Sequence, residues 1–255
     1  MAPSSIATHI KRLVFTALGI IFFLAVWHVL AKVMPRTVMA SPLDTFRALV
    51  VLMGSAMFWR HLGDTFQRLA AGFGLGAATG CVLGTVAGLR KEVRYILEPF
   101  RWFLMSVPAV VVVVIAMLWF GMGSLMTVAI TAVLVAPIVY VGTMRGMDTV
   151  DVSYLETAVV YRFGIPLTLR HIYVPAITSH VVSSLVVAAG MSVRIVILAE
   201  VLGASSGIGH ALSLAGTNLD IPGLFAWVFV STALVAMIEY GLLRPVERWV
   251  TRWRT

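Results

Sequence analysis

Three features of this sequence predict an all-α integral membrane protein with six membrane-spanning helices. Of its 255 residues, 60% are hydrophobic and only 12% charged, and the mean hydropathy is +0.98, far from the balance of a soluble domain. Uncharged runs recur at about the 20-residue length that crosses a bilayer as a helix. Lys and Arg are distributed unevenly between the two sides that such a topology creates.

Lys11 and Arg12 precede Leu13–Ala31, 19 residues without formal charge when His28 is neutral. The run is long for a secretory leader and no small-x-small cleavage site follows, so it reads as an uncleaved first span. Lys32–Gln67 is more polar, and Ser41-Pro42 marks the start of an amphipathic or interfacial helix. Leu69–Leu89 is the second span. In it Gly72, Gly76, Gly80, Gly84 and Gly88 recur every fourth residue, a continuous stripe without side chains that lets another helix's backbone approach. Helix packing explains that stripe better than contact with a solute does.

Arg90, Lys91, Arg94 and Arg101 then mark a basic loop, and Trp102–Met144 runs for 43 residues without an acidic or basic side chain. Two spans must share that length, with the break at Gly121-Met122-Gly123-Ser124 and Trp119 at the interface. Pro108 and Pro137 are expected to kink their helices. Ala176–Val193 and Ile221–Ile238, each 18 residues without formal charge, complete the six.

With both termini on the inside, thirteen Lys and Arg fall on the cytoplasmic side and six on the other, which favours the N-in, C-in orientation. Residues 1–68 are then a first helix with its connector. Residues 69–243 form a five-helix core with a polar interruption at 148–175, and 244–255 form a basic cytoplasmic tail. The net charge of +8 follows this topology rather than a nucleic-acid surface. The single cysteine, Cys81, excludes an intramolecular disulfide and a cysteine metal cluster, and the six histidines lack metal-ligand spacing.

The 148–175 interruption lies between spans four and five. Ser153–Ala158, then Gly164-Ile165-Pro166, then a stretch ending before Pro175 suggest two short helices joined by a turn. Such a segment must lie in water or against another protein. Tyr161 and Phe163 suit buried anchors of an interface; a solvated loop without a partner is the alternative. Two further positions draw notice. Arg194 follows the fifth apolar run, and an ionisable group there either attracts an anion in a pathway, snorkels to the interface or pairs with Glu200. Glu200 and Ser205–Gly209, with Ser206, Gly207 and Gly209, read as an irregular loop at the outer mouth, serving as a gate or docking point. No phosphate-cradling Walker loop occurs. An ATP-independent carrier or channel would need more ionisable groups within its spans.

The interruption resembles the cytoplasmic coupling loop of the membrane subunits of binding-protein-dependent ABC importers. Glu156 stands at that loop's acidic position, Ala158 at its third and Pro175 at its final proline, while Arg162 stands where a glycine is usual and Gly164 is left to supply the turn. Leu118-Trp119-Phe120-Gly121 and Ala199–Gly209, AEVLGASSGIG, resemble the nitrate, sulfonate, taurine and bicarbonate permease group. Val114 and Val193 depart from that group's usual proline and tryptophan.

The resemblance implies a transport subunit of the bacterial-type inner membrane, paired with a second permease copy, two cytoplasmic ABC ATPase subunits carrying ATP and Mg, and an extracytoplasmic substrate-binding protein. The chain itself is expected to hold no cofactor. Glu156, Ala158, Tyr161, Arg162, Phe163 and Gly164 would couple to the ATPase. Pro108, Trp119, Arg194, Glu200, Ser206, Gly207 and Gly209 would border the path or its gate. The solute would be a small anion, sulfonate- or nitrate-like, or alternatively a thiamine-precursor-like or riboflavin-like heterocycle.

Overall fold

The computed structural model describes residues 4–243 and Pro245. The basic tail expected at 244–255 therefore lies, Pro245 apart, outside the described residues. The described chain is helical throughout and contains no strand: α1 Ser4–Val33, α2 Pro42–Met53, α3 Ala56–Leu89, α4 Lys91–Ser106, α5 Ala109–Phe120, α6 Ser124–Asp148, α7 Val152–Val160, α8 Ile165–Thr168, α9 Val174–Gly203, α10 Ile208–Thr217 and α11 Ile221–Ala236. Among the described residues five helices are long and apolar enough to cross a membrane, and α4 with α5, bent by 104°, qualifies as a sixth only when taken as one broken span.

The chain divides into two compact units, Met1–Trp59 with Leu212–Phe229, and Arg60–Ala211 with Val230–Thr255. In the first, α2 opens as its sequence dictates. Pro42 occupies the first turn, where its missing N–H costs nothing, and the Ser41 hydroxyl accepts from the Asp44 backbone N–H. Trp27 of α1 donates its indole N–H to the Ala40 carbonyl at 3.0 Å and stacks on Phe225 and Phe229 at centroid distances of 5.8 and 5.5 Å. The ring thus buries its apolar faces while its polar edge is satisfied.

The second unit is built on α6. One face of α6 takes the glycine stripe of α3: a Cβ at Gly72, Gly76, Gly80, Gly84 or Gly88 would fall 2.5–2.7 Å from the nearest atom of Thr131, Ala132, Ala136, Thr143 or Met147. The facing positions Thr131, Val135, Val139, Thr143 and Met147 also step by four, so the two ridges run side by side. Residue numbers rise together along the pair, so α3 and α6 are parallel. Residues 90–123 must consequently carry the chain back from the Gly88 end to the Gly72 end. On its other face α6 presents Gly142 and Gly146 to Ser184, His180 and Ile177 of α9, an antiparallel contact that continues through Met126, Ile130 and Leu134 against Ile195 and Ala199.

Four boundaries differ from the sequence expectation, each for a physical reason. Helix α3 starts at Ala56, not Leu69, because a charged residue ends a hydropathy run without ending a helix: Arg68 finds partners inside the fold, and Arg60 is exposed. Residues 91–106, expected to begin as a loop, are helical and bury none of their side chains. Arg94 pairs with Asp148 of α6 at 3.0 Å, and Leu97 packs on Ala87, Tyr140 and Met144. The chain turns at Pro108, which stands just before α5, rather than through a gentle kink; Pro137 stays inside α6. Finally, α8 does not stop before Pro175. It runs through a π-helical turn, Leu169–Tyr173, into α9, with the Val174 N–H bonded to the Leu169 carbonyl five residues back. A wider turn makes room where proline supplies no N–H.

Candidate functional site

Two places carry the residues that the sequence singles out, and α9 joins them. The first is the hairpin α7–α8. The Asp151 carboxylate caps α7 by accepting from the Ser153 backbone N–H at 2.9 Å and from its hydroxyl at 2.8 Å, bonds that hold the carboxyl below its ordinary range. The far end closes as a Schellman turn, with the Phe163 N–H on the Ala158 carbonyl and the Arg162 N–H on the Val159 carbonyl. That motif requires a left-handed residue, usually glycine. Here Arg162 takes it at φ +53°, so the turn expected at Gly164 closes two residues earlier, on the side chain standing at the usual glycine position.

The hairpin leaves its apolar side chains outward. Val152, Tyr154, Val159, Val160 and Tyr161 are all exposed, Val160 by 77% and Tyr161 by 70%. Glu156, Arg162 and Gly164 are exposed beside them. Phe163 is 39% exposed, and its ring lies 6.3 Å from that of Tyr161. Ala158 is buried, so it acts inside the hairpin and not on its surface. Large apolar side chains left exposed together with charged ones are characteristic of an interaction site.

The second place lies at the far end of α9, about 45 Å along a 30-residue helix. Glu200 is completely buried. Its carboxylate accepts from Arg68 Nη1 at 2.7 Å, from the Thr65 hydroxyl at 2.8 Å and from the Gly209 backbone N–H at 3.0 Å. Arg68 also donates to the Ser206 carbonyl at 2.6 Å, the Ser206 hydroxyl at 2.7 Å and the Ser124 hydroxyl at 3.0 Å, so each of its three nitrogens is bonded. The Gly207 N–H donates to His61 Nδ1 at 3.0 Å and the Ile208 N–H to the Thr65 hydroxyl at 2.8 Å. Three consecutive amides at the start of α10 therefore point at acceptors, and the helix dipole there favours the carboxylate.

The glycines of this loop are required by close approach. Gly207 has φ +106°, and a Cβ on it would collide with the Glu200 carboxylate; one on Gly209 would collide with the Ile197 carbonyl. The arrangement is a fully satisfied polar strut that ties the end of α9 and its following loop to α3 and to the start of α6. A buried ion pair is stable in this way only when its remaining hydrogen bonds are made.

Glu200, Ser206, Gly207 and Gly209 are thus brought together. Pro108, at the α4–α5 bend, and Trp119, 77% exposed near the end of α5, do not join them. Arg194 does not pair with Glu200: α9 stays helical between them, and six residues place the two about 240° apart. Arg194 is exposed where Glu200 is buried. The sequence reading missed Arg68, Thr65, His61 and Ser124. The signal available for Arg68 was its place four residues before the glycine stripe, a cation at the head of a packing face.

A family profile described as "Binding-protein-dependent transport system inner membrane component" matches residues 76–252, well over half of the chain. SsuC of Bacillus subtilis (strain 168), a permease protein assigned to aliphatic sulfonates transport, is 28% identical over 233 residues, 91% of this chain and 84% of the relative. The bicarbonate transport system permease protein CmpB of Synechococcus elongatus is 24% identical over 251 residues, 92% and 87% of the two chains. The fold is shared with a chain of the inward-facing MetNI methionine ABC transporter, at a TM-score of 0.58 and 19% identity over 79% of this chain and 96% of the other. The motifs, the helical architecture and these matches lead to one conclusion: the chain belongs to the binding-protein-dependent transport system inner membrane component family, as an ABC importer permease of the nitrate, sulfonate, taurine and bicarbonate type.

Proposed function

We propose that this chain is the membrane-spanning subunit through which ATP binding and hydrolysis on partner subunits move a small anion into the cell. One observation carries the reading. A single helical run, Pro166–Gly203, connects the exposed hairpin to the Glu200–Arg68 strut, so a push at one end is delivered at the other. The hairpin docks in a groove of a cytoplasmic ATPase that holds ATP and Mg, with Tyr161 and Val160 as anchors and Glu156 at the rim. Closure of two ATPases rocks two copies of this chain about their interface, and the α9–α10 loop, held by Glu200, opens or seals the outer mouth to a substrate-binding protein.

The parallel pairing of α3 and α6 supports counting the bent α4–α5 pair as one return crossing. With six crossings, both termini and the hairpin lie on the Lys- and Arg-rich cytoplasmic side of the inner membrane. The anionic solute rests on the sulfonate and bicarbonate relatives. A second reading, a heterocyclic vitamin precursor, is favoured by one relative: the formylaminopyrimidine transport permease protein ThiX of Halalkalibacterium halodurans, 25% identical over 92% of this chain and 94% of its own length.

The test is purification of the tagged native assembly in mild detergent, with wild type beside a Glu156→Ala/Tyr161→Ala variant. The wild type retains an ATPase whose activity copurifies, and the variant inserts in the membrane but loses it. Copurification of equal ATPase activity with both, or of none with the wild type, would falsify the coupling role.

A further inference from the structure

We infer that Arg194 is the solute-selecting cation of the pathway, presented by each of two copies to a small oxyanion; this rests on the importer reading above. Three observations support it. Helix α9 is packed on most of its circumference, with Ser192, Val193, Ile195 and Val196 buried around Arg194, yet the face bearing Arg194 is left open by the described chain. Among the described residues Arg194 has no ion pair and no hydrogen-bond partner, in contrast to Arg68, each nitrogen of which is hydrogen-bonded. The open face also carries a notch. Gly190, one turn earlier, has no atom within 4 Å of the place where a Cβ would stand, and Val187 and Met191 on the same face are exposed.

A glycine inside a helix is destabilising and is kept where a backbone must be approached closely. Five of the seven glycines on α3 meet α6, and Gly142 and Gly146 meet α9, while Gly63 and Gly74 face open space. Gly190 meets nothing among the described residues, and unlike Gly74 it lies one turn from an unpaired cation, so the face it shares with Arg194 is free to be approached from outside. Lipid is a poor occupant beside an unpaired guanidinium, because an exposed cation in hydrocarbon is costly and such groups face a water-filled cavity or a protein partner. A second copy packed on this face by a two-fold axis would set Arg194 opposite its counterpart, where two cations repel unless water or an anion lies between them. The guanidinium fork matches planar pairs of oxygens on sulfonate, carboxylate or bicarbonate. A pathway built this way favours oxyanions over neutral heterocycles of similar size.

The experiment uses the complete importer, with its ATPase and binding protein, in proteoliposomes. Uptake of labelled methanesulfonate, taurine, bicarbonate and a neutral formylaminopyrimidine is compared for wild type, Arg194→Lys and Arg194→Gln. In parallel, Arg194→Cys in a Cys81→Ala background is exposed to a membrane-impermeant, sulfonate-bearing methanethiosulfonate reagent with and without ATP. The expected result is that the new cysteine is modified in at least one nucleotide state. Arg194→Gln is expected to lose at least tenfold in uptake of the transported oxyanion, and Arg194→Lys to lose less, while both variants hold wild-type amounts of ATPase. A cysteine unmodified in every state places Arg194 in lipid or in a dry contact and overturns the inference. So does modification with unchanged oxyanion uptake in Arg194→Gln, or uptake of the neutral pyrimidine alone. Each of these leaves the importer reading standing, which fails separately if the wild-type assembly hydrolyses no ATP.

Discussion

Removing the Glu200 carboxylate leaves the Arg68 guanidinium, only 6% exposed, without its counter-ion. Truncating one partner of a buried pair costs about 3–5 kcal/mol, because the remaining charge is uncompensated. Arg68 would keep the Ser206 carbonyl, the Ser206 hydroxyl and the Ser124 hydroxyl, so the lower end, about 3 kcal/mol, is expected for Glu200→Ala. Glu200→Gln fares little better, since its amide NH2 must face either the Gly209 N–H or Arg68, both donors. In the cycle of Glu200→Met, Arg68→Met and the double variant, the double removes both charges together, so it is expected to be no worse than the poorer single one. The coupling is therefore large, about 2–3 kcal/mol in a double-mutant cycle. Thermal melts of the detergent-solubilised chain check this, with each single variant lowered by about 6–12 °C at roughly 2–4 °C per kcal/mol and the double variant recovering part of that loss. Additive shifts, with the double variant as low as the sum of the singles, would refute the view of this cluster as one charge-balanced strut.

Two further outcomes follow from local geometry. Gly80→Ala places a methyl 2.5 Å from the Ala136 carbonyl and 2.8 Å from Val139 Cβ, a backbone collision that only separation of α3 from α6 relieves, at about 1–3 kcal/mol. Gly74→Ala on the same helix meets nothing within 4 Å and should be neutral or stabilising by up to about 1 kcal/mol; equal melting of the two variants would contradict the stripe. In the hairpin, Arg162→Gly relieves a left-handed residue at a cost of about 1 kcal/mol. Amide exchange over residues 152–163 should then slow by roughly five-fold, whereas faster exchange would mean that the Arg162 side chain, and not the turn, holds the hairpin.

Composition and the spacing of uncharged runs determined the membrane class, because the bilayer imposes one length on every crossing helix and hydropathy records it directly. The motif around Glu156 and the segment Ala199–Gly209 determined the family, since short polar segments between apolar helices are where a transport subunit differs from other membrane proteins. The glycine repeat was legible as a packing face because helical period is a property of the chain alone. Its partner was not: that Thr131, Val135, Val139, Thr143 and Met147 of α6 lie against it depends on two helices meeting 59 residues apart.

The tertiary structure alone decided where charges end up. Sequence placed Arg68 in an outer connector and offered Arg194 as a partner for Glu200, the nearer cation in the chain. The fold pairs Glu200 with Arg68, 132 residues away, and turns Arg194 to a different, exposed face of an uninterrupted helix. Charge read along a chain marks a boundary of hydropathy and not of helix, so α3 runs past Arg68, which a partner from α9 neutralises, and α9 runs past Arg194, which stays exposed. The same holds for the hairpin turn, where the chain direction at Arg162 is set by two backbone hydrogen bonds across the end of α7 rather than by the nearest glycine.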